Sequence, residues 1–130
     1  QTAFEMLHEG SQPEFIIPEP GTAVHTVTVA GASIALTHGH HAKAPHRFAE
    51  WVAGQAATPS SPLAHADIVC RGHWHSPALE MSRGRWLLGA PTIDCGSKWF
   101  QDATGEWSKP GMMTFRIHDR DLSDLRFWEA

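Results

Sequence analysis

Two short histidine turns, each directly after an apolar strand-like run, constrain this chain more than any other feature. The first is Thr37-His38-Gly39-His40-His41, which follows Ser33-Ile34-Ala35-Leu36. The second is Gly72-His73-Trp74-His75-Ser76-Pro77, which follows Ile68-Val69-Cys70. Residues two apart on an extended backbone point to the same side of a strand, so His73 and His75 are expected to converge. Two convergent neutral imidazoles make half of a divalent-metal site. The turns are separated by about one crossover connection, the length that joins parallel strands. Both turns therefore belong at one edge of a sheet, where strand ends collect ligands.

The rest of the chain supplies the elements for such a sheet. Val24 to Val29 alternates apolar and polar residues with β-branched ones, and Ser33 to Thr37 is its return strand after the Ala30-Gly31-Ala32 turn. His46 to Ala57 is the one good helix, with Phe48, Ala49, Trp51, Val52 and Ala56 at three- and four-residue spacing and Pro45 at its start. Ala66 to Cys70 reads as a buried strand. Ala78–Met81 and Arg85–Leu88 form a hairpin about Arg83-Gly84, and Met112–Ile117 and Leu122–Trp128 form another across Asp119-Arg120-Asp121. Thr2 to Glu9 is a short helix-like segment. Phe15-Ile16-Ile17 is an extended piece, and Ala90 to Pro110 is loop-rich. The order is hairpin, helix, strand, hairpin, hairpin. A lone sheet of these strands with one helix leaves a face uncovered, so a partner or a further part of the chain is expected there.

Composition narrows the class. At 130 residues with 42% hydrophobic and 18% charged residues, one folded domain is expected and disorder is not. The net charge of −4 carries no electrostatic footprint for nucleic acid. A phosphorylated substrate stays compatible, because a bound metal supplies local positive charge. The 10 histidines equal Lys and Arg combined. The two cysteines, Cys70 and Cys95, make no disulfide framework and suit a reducing cytoplasm. No apolar run reaches the roughly 18 residues of a membrane span.

Leu36-Thr37-His38-Gly39-His40 and Gly72-His73-Trp74-His75, in that order with a helix between them, resemble the fourth and fifth motifs of the calcineurin-like metallophosphoesterases. The resemblance runs from about Val24 to the end of the chain. It implies an α/β fold: the strand-rich C-terminal half of a metallophosphoesterase β-sandwich flanked by helices. It implies two divalent metals, with Mn, Fe, Zn and Ni undistinguished, and hydrolysis of a phosphomonoester or phosphodiester by metal-activated water. By the resemblance His38 and His73 bind one metal, His75 binds the other, and His40 lies near the substrate. The family's Asp-x-His, Gly-Asp-x-x-Asp and Gly-Asn-His motifs have no counterpart here. Residues 1–130 are thus expected to be the C-terminal part of a larger domain and inactive alone. A phosphorylated substrate is the expected partner; nucleic acid is compatible with the family but not indicated by charge, and no membrane partner is expected.

Blander readings stand beside these. His41 and His46 read as solvated or helix-start residues, and His8, His25, His65 and His118 as surface or strand-face histidines. Trp74 either walls the site or packs on the sheet edge. Cys70 reads as a buried thiol, Asp94 and Cys95 as loop residues, and Lys43, Arg71 and Lys98 as solvated charges. A cupin-like single-metal barrel is a rival, since His73-x-His75 is followed after four intervening residues by Glu80. A non-enzymatic metal-binding module is another.

Overall fold

The structure is a computed structural model that describes residues 16–93, Asp102 and residues 109–130. Its strands are β1 (Val24–Val29), β2 (Ala32–Thr37), β3 (Ile68–Arg71), β4 (Ala78–Ser82), β5 (Arg85–Gly89), β6 (Gly111–His118) and β7 (Asp121–Glu129). The helix α1 (Phe48–Ala56) lies between β2 and β3, after 3-10 turns at His40–Ala42 and Pro45–Arg47. The expected order of elements is the observed one. α1 starts two residues later than the spacing predicts. Pro45 opens a tighter 3-10 turn first, in which Arg47 N–H donates to the Ala44 carbonyl. The short helix expected at Thr2–Glu9 and most of the Ala90–Pro110 loop lie outside the described residues. Ile16 and Ile17 belong to no strand.

Five strands form one sheet in the order β1-β2-β3-β5-β4. β2, β3 and β5 run parallel, while β1 and β4 are antiparallel edge strands. The architecture is mixed α/β and strand-rich. Neighbouring residues on the central strands alternate between two cores, as strand geometry requires. Ala35, Val69 and Leu87 pack with Phe48 and Val52 of α1 and with Leu63. Ile34, Ile68 and Leu88 face the other way, against Met113, Phe115, Ile117, Leu122 and Leu125.

This second core corrects the lone-sheet expectation. β6 and β7 pair only with each other and lay their apolar face across the main sheet. The alternation of Met113, Phe115 and Ile117 with polar residues demands one buried face, and the main sheet supplies it. The chain therefore packs a layer on each face of its own sheet, with Leu36 and Leu79 left exposed. The helix α1 flanks the face of the sheet opposite the β6–β7 hairpin.

Polar contacts pin this hairpin at the sheet end away from the histidine turns. The Asp67 carboxylate, just before β3, accepts Ser33 N–H at 2.8 Å and Arg120 Nη2 at 3.0 Å. Trp86 Nε1 donates to Asp121 Oδ1 at 2.8 Å. Asp119 and Arg120 have φ of 50° and 67°, a tight left-handed turn that makes Asp121 the first residue of β7 rather than a turn residue.

The hydrogen bond from Trp86, and a second from the Leu122 N–H, hold the Asp121 carboxyl below its ordinary pKa. A depressed carboxylate stabilises the fold above its unfolded pKa, and that contribution fades as pH falls through the folded value. Asp121→Asn should therefore lower the melting temperature at pH 7. The gap from the parent protein should close as the pH drops below the usual carboxylate range. Thermal melts across pH 2.5 to 7 check this, and a gap independent of pH would refute it.

Candidate metal centre

Strand register builds the site. β2 and β3 pair in parallel with Thr37 opposite Arg71, and β3 and β5 with Arg71 opposite Gly89. The strands thus end together. Gly72 N–H donates to the Thr37 carbonyl at 3.3 Å, which sets His38 beside the second histidine turn. Three imidazoles gather there. Ring centres lie 4.7 Å apart for His38 and His73, 5.1 Å for His38 and His40, and 6.1 Å for His40 and His73. All three residues are exposed to solvent.

The Nδ1 atoms of His38 and His40 are 3.0 Å apart, so one must carry the proton and the other accept it. Incomplete hydration lowers the His40 pKa first, and repulsion from His41 and His38 adds to it. The His73 pKa falls for the same reason, with His38, His40 and His75 as the repelling neighbours. Both rings are thereby favoured in the neutral form, which has a lone pair to offer a cation.

His75 departs from the expected geometry. His73 and His75 have φ of 67° and 54°, in the left-handed region, so the backbone across the pair is not extended. The argument that residues two apart point together does not apply. His75 lies near enough to the cluster to contribute to the lowered His73 pKa. Strain at two successive candidate ligands is the kind of cost that functional turns carry.

Arg71 is the residue the sequence reading misjudged. It is 6% exposed rather than solvated. Its guanidinium sits 4.6 Å from the Trp74 ring centre and 5.3 Å from that of Phe48. Its Nη1 has no hydrogen-bond partner. Alternation along β3 could have revealed this, since Arg71 shares a face with buried Val69. Trp74 takes up both alternatives considered for it. It meets Phe48 edge-on at 6.4 Å and His73 edge-on at 5.2 Å, so it packs and borders the site at once. Cys70 is as expected, a mostly buried thiol whose pKa is pushed up to about 11 by burial.

The donor set suits a divalent ion in kind. Neutral imidazole is a common zinc ligand, and the His38 and His73 rings stand 4.7 Å apart, centre to centre, at one end of the sheet. The set falls short in number and closure. Among the described residues no group of three or more His, Cys, Asp or Glu side chains is arranged to hold an ion. Glu80 pairs with Leu87 within β4 and joins no such group. Parallel strands with a helical crossover also depart from the barrel of the cupin rival. No helix among the described residues is long and apolar enough to cross a membrane.

No protein-family model and no curated protein matches the sequence. Solved structures do. Vps29 from Entamoeba histolytica complexed with Zn2+ superposes with a TM-score of 0.57 at 14% identity, over 92% of this chain and 66% of that one. A single-mutant form of the same protein gives 0.55 at 14% identity, over 91% and 66%. A predicted phosphoesterase from Streptococcus pneumoniae gives 0.58 at 16% identity, over 87% and 57%. These likenesses establish the fold, one shared with Vps29 and with a predicted phosphoesterase. The chain spans less than two thirds of the length of each of these three.

The histidine turn depends on Gly39. Its φ is 97°, and a Cβ there would lie 3.2 Å from both Arg71 Cβ and Trp74 Cζ3. Gly39→Ala should cost about 1–3 kcal/mol in stability, combining left-handed strain with that contact. Urea unfolding measures it; a change within 0.5 kcal/mol, the usual scatter of roughly neutral surface substitutions, would show that the turn relaxes freely.

Proposed function

We propose that this chain is the histidine-rich, C-terminal part of a metal-dependent phosphoesterase. The observation that carries the reading is the meeting of His38, His40 and His73 at the ends of two adjacent parallel strands. Its context supports it: a fold shared with a zinc-complexed protein and with a predicted phosphoesterase. His38 and His73 would hold one divalent ion, and His75 would take part in a second with ligands from outside these residues. A bound divalent ion would polarise a phosphoryl oxygen and lower the pKa of an attacking water.

The chain's own residues do the rest. His38 and His73 present neutral nitrogen lone pairs. His40, hydrogen-bonded through Nδ1 to His38, stands where it can meet a substrate oxygen. Trp74 and Phe48 clamp Arg71 beneath the turns and keep water from that side. The acidic and amide ligands of the resembled family are absent from the sequence, so the chain alone is expected to bind metal weakly and to hydrolyse nothing. The acids that complete the site would come from an upstream half.

A second reading, a metal-binding module without hydrolytic activity, is favoured by one observation: the chain packs a layer on each face of its own sheet. Joining the chain to its upstream sequence separates the two. Metal-dependent cleavage of a nitrophenyl phosphodiester by the joined protein supports the esterase, and metal binding without cleavage supports the module.

Zinc titration against a chromophoric chelator tests the ligand assignment directly. His38→Ala and His73→Ala should each weaken zinc binding about tenfold or more, equivalent to about 1.4 kcal/mol. His75→Ala should weaken it less, and Glu80→Gln should leave it unchanged. A loss confined to Glu80→Gln would overturn the assignment.

A further inference from the structure

A pocket of about 230 Å3 adjoins the histidine cluster on the side of α1, lined by His41, Ala42, Lys43, Arg47, Glu50 and Trp51. It is one imidazole away from the proposed centre, for the His41 ring lies 3.8 Å from that of His40. The near-parallel rings of His41 and Trp51, 12° apart in tilt with centres at 6.1 Å, form its wall. Trp51 also stacks on Phe48 at 5.9 Å, so that wall is fixed to the core.

The charge in this pocket runs against that of the chain. The sequence carries −4 overall, with 10 basic residues against 14 acidic ones. Here Lys43 and Arg47 face one carboxylate, Glu50. That carboxylate reaches Arg47 through Nε at 3.7 Å, with both side chains more than half exposed, an ion pair of small worth. Lys43 is set at the rim by a left-handed φ of 65°, its N–H donating to the His40 carbonyl. A guanidinium and an ammonium at one opening are donors matched to phosphate oxygens.

The geometry points to a second anion subsite: the pocket takes a further phosphate group of a substrate whose scissile phosphate sits at His38, His40 and His73. The preferred substrate class is therefore a molecule with two phosphate groups held apart by a carbon linker long enough to pass the His41 ring, a bisphosphate rather than a simple monoester. This rests on the phosphoesterase reading for the placement of the scissile group. The subsite itself can be tested without hydrolysis.

Calorimetric titration of this chain with hexane-1,6-diol bisphosphate and with hexyl phosphate, at low salt and without metal, provides the test. The bisphosphate should bind about tenfold more tightly than the monophosphate. The double variant Lys43→Gln/Arg47→Gln should bring that ratio to about two or below. Glu50→Gln should tighten bisphosphate binding, a gain that misfolding cannot produce. A ratio of about two or below in the parent protein, a ratio unchanged in the double variant, or no heat with either anion would each overturn the subsite. Hydrolysis by the joined protein is a separate measurement. Its absence beside a preserved bisphosphate preference would sink the esterase reading and leave the anion subsite standing.

Discussion

The parallel pairing of β2 with β3 is the constraint on which the rest depends. Four residue pairs, Ile34 with Ile68 through Thr37 with Arg71, bring both strands to an end at the same level. Strands that close together release their next residues side by side, and those residues are the two histidine turns. A parallel pair cannot be joined by a tight turn, so α1 must cross over. In crossing, α1 buries Phe48 and Val52 on one face of the sheet and delivers His41, Lys43 and Arg47 to the same end as the histidines. A two-residue slip between β2 and β3 would keep the cores facing correctly. It would also move one turn about 6–7 Å from the other and disperse the cluster.

Beneath that cluster the structure accepts a costly residue. A guanidinium removed from water costs several kcal/mol unless it is compensated, and Arg71 has one unpaired nitrogen. Two aromatic faces return part of that, about 2 kcal/mol each where solvent is excluded. What the arrangement secures is shape. Arg71 and Trp74 fill the space against Gly39, where a Cβ would press on both at 3.2 Å, so the first turn is seated on the second. The left-handed backbone at Gly39, His73 and His75 is then held by packing rather than by local preference.

Much of this was legible in the sequence, and the failures share a cause. Val24–Val29 and the Arg83-Gly84 turn are local signals, alternation and a positive-φ glycine, and both stand as expected. The adjacency of His38 and His73 followed from two turns after two strands, one crossover apart. The errors came where tertiary contact overrode local rules. Met113, Phe115 and Ile117 show the alternation of a strand, but nothing in it says that the hairpin lies across the sheet instead of extending it. Arg71 looked like a turn charge because its neighbours are turn residues; it lies instead between Trp74 and Phe48, the latter more than twenty positions away. The convergence of the His73 and His75 side chains was expected from an extended-strand rule that the backbone abandons at His73. The basic pocket escaped because Lys43 and Arg47 face one opening only through a 3-10 turn at Pro45–Arg47 that helix periodicity does not foresee.

Charge balance ties the proposed centre to its neighbourhood. Every candidate ligand here is an imidazole, which brings no negative charge, so a divalent ion held by them alone would keep its full double charge. An unbalanced charge of that size is poorly tolerated where protein displaces water. It must be met by anions, and two sources can supply them: carboxylates from outside the described residues, and the substrate itself. Lys43 and Arg47 beside the cluster add positive potential and so raise the demand. An end of a sheet built from imidazoles, a buried guanidinium and two exposed cations, in a chain of net negative charge, is matched to a polyanion. A monoester dianion would leave the Lys43–Arg47 side of that field unanswered; a second phosphate would complete it.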